Sequence, residues 1–225
     1  MPKITQVEPQ KKSASRRTKR FNVYLDGEFA FGADEDLVVS QRLIPGKNIS
    51  PEDLDKLLFE AEVGKLMEKV YNFFSFRMRS EKEVKDWLKV KSLKEKVKSG
   101  EGISQLVMDQ IVEKLKQKGL INDLEFAKAW VEARRRSKNL GIRVLKSELF
   151  QKGIGKEIIN ELLVHSSLFM DQEEELARQA LEKKMKSWKN LQGLEFKKKA
   201  IEFLLRHGFE YQTVKKTVEN IIKKD

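Results

Sequence analysis

The sequence predicts a mainly α-helical protein with three tandem three-helix repeats in an elongated curved array, preceded by a small N-terminal β-hairpin segment. Three observations predict this fold class. Nine segments from residue 51 onward have apolar residues at helical spacing and suitable capping residues. One Asp26-Gly27 pair separates two β-rich runs, as in a two-residue hairpin turn. A leucine, two residues, a cation, glycine and an apolar residue recur from Leu115, Leu149 and Leu204.

The first fifty residues are predicted to contain all of the β structure and one short helix. Residues 4–8 favour a strand, and residues 21–25 and 28–31 flank the turn as the two arms of the hairpin. Gly32 is predicted to end the second arm. The acidic residues 34–36 precede an apolar run, as acids do in the first turn of a helix.

The three helical repeats are predicted at residues 51–120, 121–168 and 169–225. Ser50, then Pro51 and two acids, indicates the start of a long helix. Ser80 and Ser104 are predicted to cap the next two helices. Residues 94–102 are charged and contain two glycines, so we expect an exposed loop there.

Residues 119–154 predict two helices joined by a short polar link. Phe126 and Trp130 share the apolar face of the first helix, which either Asn122 or Asp123 is suited to cap. That helix ends in a basic run, and cations stabilise a helix C-terminus. Gly153 is predicted to end the second helix, because glycine adopts the left-handed conformation without strain.

The formal net charge of +11 indicates a polyanion or an acidic protein surface as partner. The charge is uneven: residues 134–156 contain eight lysines and arginines and one acid, whereas residues 26–60 contain three and nine. The alternative interpretation is a highly soluble protein rich in lysine and glutamate, as in many heat-stable proteins.

Composition also excludes several classes of protein. The absence of cysteine excludes disulfides, thiolate nucleophiles and cysteine-based metal sites. No apolar run approaches the roughly 20 residues that a membrane span needs, and the basic N-terminus lacks the apolar part of a signal peptide. We expect a soluble, cytoplasmic protein that does not bind membranes.

No group of residues predicts catalysis. His207 has a helix C-terminal position suited to a capping cation, and nothing near His165 marks the carboxylate or oxyanion hole that a serine nucleophile needs. The acids at 34–36 are candidate metal ligands of a nuclease, but three consecutive acids on a helix point in different directions. We therefore expect a protein that is not an enzyme and uses no cofactor or metal.

Basic residues near the junction of the two central helices are the candidate binding surface. On a helical wheel, Arg135 and Arg136 share the outer face, whereas Arg134 lies beside Trp130 within the apolar arc. Arg134 is expected either to stack on Trp130 or to pair with an internal acid such as Glu148. A solvated face without a partner is the alternative for the exposed cations. The predicted partner- or DNA-binding residues are Arg16, Arg17, Arg20, Arg135, Arg136, Lys138, Arg143, Lys146 and Lys152. The predicted structural residues are Trp130, Arg134 and Gly153.

Short motifs along the chain carry a family resemblance. The most specific lie in the central stretch: LIND at 120–123, FA at 126–127, WV at 130–131, Arg134, GIR at 141–143 and ELFQKGI at 148–154. VYLDGEFAF at 23–31 and RSEKEV at 79–84 add to them. Together they resemble the RecX family, which regulates the RecA recombinase. The chain departs from that pattern at residues 89–102, where the usual helix ending is replaced.

The resemblance implies tandem three-helix repeats and no catalytic residues. It also implies a partner, the RecA filament on single-stranded DNA. Independently of the resemblance, we expect a monomer, and direct contact to DNA is one way in which it could bind. Binding within the filament groove would restrain ATP hydrolysis and strand exchange. Two alternatives stay open: a helical nucleic-acid-binding protein without a recombinase partner, and a metal-dependent nuclease.

Overall fold

A computed structural model describes residues 1–10, 19–163, 172–188 and 193–223. Within these ranges, three antiparallel strands at the N-terminus are followed by ten helices. The first helix belongs to the N-terminal segment, and the other nine correspond to the nine helices predicted from residue 51 onward. The predicted mainly α fold with a small N-terminal β element is therefore confirmed.

The sheet consists of β1 (Ile4–Pro9), β2 (Arg20–Leu25) and β3 (Glu28–Asp34), with β2 in the centre. Asp26 and Gly27 both have positive φ values, 49° and 90°, as a type I′ hairpin turn requires. The prediction that Gly32 ends the second arm is wrong, because β3 continues to Asp34. A glycine weakens a strand, but here the ladder between β2 and β3 continues past it.

Four helices follow the sheet: α1 (Glu35–Ser40), α2 (Pro51–Phe74), α3 (Glu81–Ser99) and α4 (Gln105–Gln117). The predicted serine caps are present at α2, α3 and α4, and at α3 Ser80 Oγ accepts a hydrogen bond from the Glu83 amide at 3.2 Å. Ser50 Oγ accepts a hydrogen bond from the Asp53 amide at 3.1 Å, and Ser104 Oγ accepts one from Val107 at 3.3 Å.

The prediction of an exposed loop at residues 94–102 is wrong for residues 94–99, because α3 continues through Ser99. Lysine is a good helix former, so a run of lysines does not itself end a helix. The helix ends at Gly100, which has a φ of +83° and whose amide donates to the Lys96 carbonyl at 3.0 Å.

Six further helices complete the described chain. They are α5 (Asp123–Lys138), α6 (Ile142–Gln151), α7 (Lys156–Leu163), α8 (Glu173–Met185), α9 (Gly193–Arg206) and α10 (Tyr211–Ile222). The glycines of the recurring phrase all have positive φ and end α4, α6 and α9. In each case the amide of the apolar residue after glycine donates back to the phrase's leucine carbonyl, at 2.9 Å, 3.1 Å and 3.2 Å.

The chain divides into two compact units. The first comprises Met1–Arg79 and Val84–Ile121, and the second comprises Ser80–Glu83 and Asn122–Asp225. In the first unit, one apolar cluster joins the sheet to α1 and the start of α2, and another joins α2, α3 and α4. In the second unit, α5, α6 and α7 enclose one cluster, and α8, α9 and α10 enclose another. The second unit contains most of the predicted binding residues.

Candidate binding surface of the second unit

Arg134 holds α5 against α6. Its Nε donates to Glu148 Oε2 at 2.8 Å, and its guanidinium lies 4.6 Å from the centre of the Trp130 ring. Trp130 Nε1 donates to the same carboxylate oxygen at 2.7 Å. The two expected arrangements of Arg134 are therefore combined in one cluster, in which a single half-buried carboxylate accepts from an indole and a guanidinium.

Arg135 does not lie on the surface, which corrects the prediction from the helical wheel. Its side chain is 8% exposed, and Nη2 donates to Glu173 Oε1 at 2.7 Å. The wheel accounted for the packing of α5 against α6 alone. In the structure, Glu173 at the start of α8 lies next to Arg135, so that arginines 134 and 135 both point towards neighbouring helices.

Glu173 connects three helices. It lies in the first turn of α8, accepts from Arg135 near the end of α5, and is 3.4 Å from the Ile142 amide at the start of α6. Burial raises the pKa of Glu173 to about 7, and attraction by Arg135 opposes this shift. The pair thus links the cluster of α5, α6 and α7 to that of α8, α9 and α10.

A close backbone contact reinforces this connection. The Gly141 amide donates to the His207 carbonyl at 2.8 Å, and the Arg143 amide donates to the Gly208 carbonyl at 3.0 Å. A Cβ atom at Gly208 would lie 2.5 Å from the Val144 nitrogen, so only glycine fits. His207 Nδ1 lies 3.0 Å from the Phe203 carbonyl in the last turn of α9, as predicted for a residue that caps this helix end, and burial lowers the pKa of His207.

Lys152 is also held inside the second unit rather than presented freely to solvent. Its Nζ is 2.6 Å from Glu83 Oε1 and 4.8 Å from the centre of the Trp130 ring. Its carbonyl accepts from Ser80 Oγ at 2.7 Å. Lys152 joins the first turn of α3 to the end of α6, where Gly153 forms the turn. Its side chain is 28% exposed, and its contact with a partner stays a prediction.

Arg20 is held by contacts within the first unit. Arg20 has a side chain that is only 10% exposed, with Nη1 3.7 Å from Glu68 Oε2 and Nη2 donating to the Gly32 carbonyl at 3.1 Å. Its predicted role in binding is corrected, because it packs β2 and β3 against α2 within the first unit. Arg16 and Arg17 lie outside the described residues.

Four predicted cations are exposed: Arg136, Lys138, Arg143 and Lys146. Arg136 pairs with Glu132 one turn earlier on α5, and Lys146 Nζ lies 3.4 Å from Asn160 Oδ1 on α7. Phe150, one turn beyond Lys146 on α6, is 65% exposed. The sequence reasoning used Phe150 only as part of a motif, although its spacing of seven from Arg143 puts both on one helical face.

A groove of about 560 Å³ lies between α5 and α8. Cations and amides dominate its lining: Lys128, Glu132, Arg135, Arg136, Asn139, Gln172, Leu176, Gln179 and Lys183. Lys183 was not predicted as a site residue, because only the folded chain brings α8 beside α5. Its Nζ is 3.4 Å from Asn139 Oδ1, on the residue that ends α5. The groove and the exposed face of α6 offer hydrogen-bond donors to anionic groups.

Asp34, one of the three acids considered for a nuclease, has a structural role. Asp34 caps α1, accepting from the Leu37 amide at 2.8 Å. Among the residues that the structure describes, no three histidine or carboxylate side chains come together as metal ligands. His165 is outside the described residues. In the same described part of the chain, no helix combines the length and apolar character needed to cross a bilayer.

Comparisons with known proteins identify similar sequences and folds. Family models described as the regulatory protein RecX N-terminal domain, the RecX second three-helix domain and the RecX third three-helix domain match residues 2–50, 122–163 and 171–218. A regulatory protein RecX from Bacillus subtilis (strain 168) is 35% identical over 98% of this chain and 78% of its own length. The protein of the same name from Listeria innocua serovar 6a is 27% identical over 95% of this chain and 73% of its own length.

Two solved structures resemble the fold. A crystal structure of regulatory protein RecX aligns with a TM-score of 0.74 at 24% identity, covering 100% of both chains. The crystal structure of RecX from Lactobacillus salivarius aligns with a TM-score of 0.58 at 25% identity, covering 73% of this chain and 98% of its own. These similarities agree with the family resemblance of the motifs.

Proposed function

The chain belongs to the RecX family of regulatory proteins, and on that premise we propose that it binds RecA filaments on single-stranded DNA and inhibits them. Binding would restrain both ATP hydrolysis and strand exchange. The protein would act as a monomeric binder, with no cofactor and no catalysed reaction of its own. The observation that carries the proposal is the excess of exposed cations on the second unit.

The charge of this surface supports an anionic partner. Glu148 is the only acid among residues 134–156, and it is already engaged by Arg134 and Trp130. Arg136 pairs with Glu132, and residues 134–156 contain no second acid that could pair with Lys138, Arg143 or Lys146. A nucleoprotein filament presents a dense array of phosphates, and cations that replace its counterions gain affinity from ion release.

The exposed face of α6 suits such a filament in a second way. One face of α6 carries two exposed cations, Arg143 and Lys146, and one turn further along the exposed ring of Phe150. Cations bind phosphates, while an aromatic ring stacks on an unpaired base or packs in an apolar recess of a protein. We propose that these three side chains contact the filament directly.

A binding experiment separates this function from general nucleic-acid binding. Fluorescence anisotropy of labelled single-stranded DNA is measured with the protein alone, and with RecA filaments preassembled using a slowly hydrolysed ATP analogue. We expect much tighter binding to the filament than to naked DNA. Equal affinity for both would favour the alternative, a helical nucleic-acid-binding protein without a recombinase partner.

Variants test the proposed contacts. Replacing Arg143 and Lys146 by alanine should weaken filament binding and make it less sensitive to salt. Each cation that no longer neutralises a phosphate of a single strand lowers the slope of log K against log salt by roughly 0.7. The matched control replaces Lys197 and Lys198, two exposed lysines of α9, by alanine. Equally weakened binding in both variants would mean that overall charge, not this surface, determines affinity.

A further inference from the structure

The outer face of α3 carries an apolar stripe that the described structure leaves uncovered. Val90, Leu93 and Val97 are 49%, 65% and 88% exposed. Their spacing of three and four residues aligns them along one side of the helix. The opposite side is fully engaged, because Val84 and Leu88 are completely buried in the cluster of α2, α3 and α4. Packing within the first unit therefore explains one face of α3 but not the other.

Lysines border the stripe on both sides. On a helical wheel, Lys89 and Lys96 lie along one edge, and Lys94 and Lys98 lie along the other. Residues 89–98 contain five lysines and a single acid, Glu95. Glu95 already accepts from Lys69 of α2 at 3.0 Å, and this hydrogen bond is the main cause of its lowered pKa. The border of the stripe is therefore strongly positive.

The stripe lines a groove of about 550 Å³, and most of the surface exposed in this groove is apolar. Lys69 of α2 contributes to this groove, together with Val90, Leu93, Val97 and the neighbouring lysines of α3. A concave apolar surface with a polar border matches the way in which an amphipathic helix docks, with its apolar face in the groove and its charged flanks at the rim.

We propose that this surface of α3 binds an acidic amphipathic helix of a partner protein. The apolar stripe would receive the partner's aliphatic side chains, and the lysine borders would pair with its flanking carboxylates. Charge complementarity favours this occupant over a second copy of the chain, because two such surfaces would bring lysines against lysines. It involves the first unit and is independent of the proposed filament contact on the second.

The sequence supports a specific role for this segment. Most of the segment 89–102 is helix, because α3 continues through Ser99. A solvated helix needs no aliphatic residues on its outer face, yet three occur there at regular spacing. An exposed apolar stripe of this kind has the form of a docking site.

The test uses the whole 225-residue chain and a synthetic peptide. The probe is a fluorescein-labelled helical peptide with a leucine stripe flanked by glutamates, and its control has the same composition in scrambled order. Fluorescence anisotropy should show saturable binding of the amphipathic peptide and little binding of the scrambled one. Equal binding of the two peptides, or no binding of either, overturns the proposal.

Two double variants, each with a control variant, locate the binding surface. Leu93→Ser with Val97→Ser should weaken peptide binding about tenfold or more, because burying an aliphatic side chain in a complex changes affinity by a factor of that size. Leu106→Ser on α4, where the leucine is 74% exposed, is the matched control and should bind as wild type. Lys94→Glu with Lys98→Glu should abolish binding of the acidic peptide, whereas Lys197→Glu with Lys198→Glu should retain it. A control variant that binds as weakly as its counterpart overturns the assignment.

Two further measurements compare other occupants. Vesicles of phosphatidylglycerol and phosphatidylcholine are tested by co-sedimentation, and self-association by analytical ultracentrifugation. We expect no dependence of either on Leu93 and Val97. Vesicle binding or dimerisation that disappears in the Leu93→Ser, Val97→Ser variant would identify a membrane or a second copy as the occupant and overturn the proposal.

Discussion

The buried pair of Arg135 and Glu173 provides the sharpest test of the second unit. Both side chains are 8% exposed, and their charged groups are 2.7 Å apart. Replacing Arg135 by alanine leaves a buried carboxylate without its counter-ion and opens a void between α5 and α8. Removal of one partner from a buried pair costs about 3–5 kcal/mol, so we expect the melting temperature to fall by roughly 10 °C or more.

Chemical unfolding followed by tryptophan fluorescence measures the loss in the free energy of unfolding, and a thermal melt measures the fall in melting temperature. Trp130 and Trp188 report on the second unit, and Trp87→Phe removes the signal of the first. Arg136→Ala is the matched control: it changes the next arginine, which is exposed, and should cost less than about 0.5 kcal/mol.

Replacing both partners distinguishes a stranded charge from impaired packing. Arg135→Met with Glu173→Leu should recover much of the stability, because well-packed apolar residues often substitute for a buried ion pair at little cost. If Arg135→Ala were as mild as Arg136→Ala, then Arg135 would lie on the surface as the helical wheel predicted, and the account of the junction would be refuted.

Three further predictions concern the same unit. Burial raises the pKa of Glu173 from 4.5 to about 7, so between these pH values the folded unit binds more protons than the unfolded chain. The free energy of unfolding should therefore fall as the pH rises from 4.5 to 7. Denaturant titrations at several pH values measure this, and Glu173→Gln should make the stability less dependent on pH. Gly208→Ala should destabilise the unit by several kcal/mol, because the new Cβ would be 2.5 Å from the Val144 nitrogen. Gly155→Ala is the control, since a Cβ there meets nothing closer than 3.4 Å. Equal melting temperatures for the two alanine variants would contradict the close approach at Gly208. Arg134→Ala should lower the melting temperature by breaking its bond to Glu148 and its stacking on Trp130, while Lys138→Ala, measured in the same thermal melt, should leave it nearly unchanged.

Local sequence signals predicted the helices well, for identifiable physical reasons. Ser50 and Ser104 cap helices where the pattern placed them, and the glycine of each recurring phrase ends a helix with a back-folded hydrogen bond. These features depend on residues close together in the chain, so their outcome is written in the local sequence. Residues 94–99 are the exception: high charge suggested a loop, but lysine favours helix, and only Gly100 ends it.

The environment of individual cations was less predictable, because it depends on helices that are distant in the sequence. The wheel of α5 separated an apolar arc from a charged face, and Arg134 lies in that arc beside Trp130. The helical wheel contained no information about α8, whose Glu173 is 38 residues from Arg135. Lys152 likewise meets Glu83, which is 69 residues away. The environment of Arg135 and of Lys152 therefore depends on a carboxylate that is distant in the sequence.

The most direct test of the central proposal is the rate of ATP hydrolysis by RecA on single-stranded DNA, titrated with this protein. We predict that hydrolysis falls with increasing protein, that the Arg143→Ala, Lys146→Ala variant requires a higher concentration for the same effect, and that the Lys197→Ala, Lys198→Ala control matches wild type. An unchanged rate at concentrations that saturate the filament, or ATP hydrolysis by the protein without RecA, would contradict the proposal.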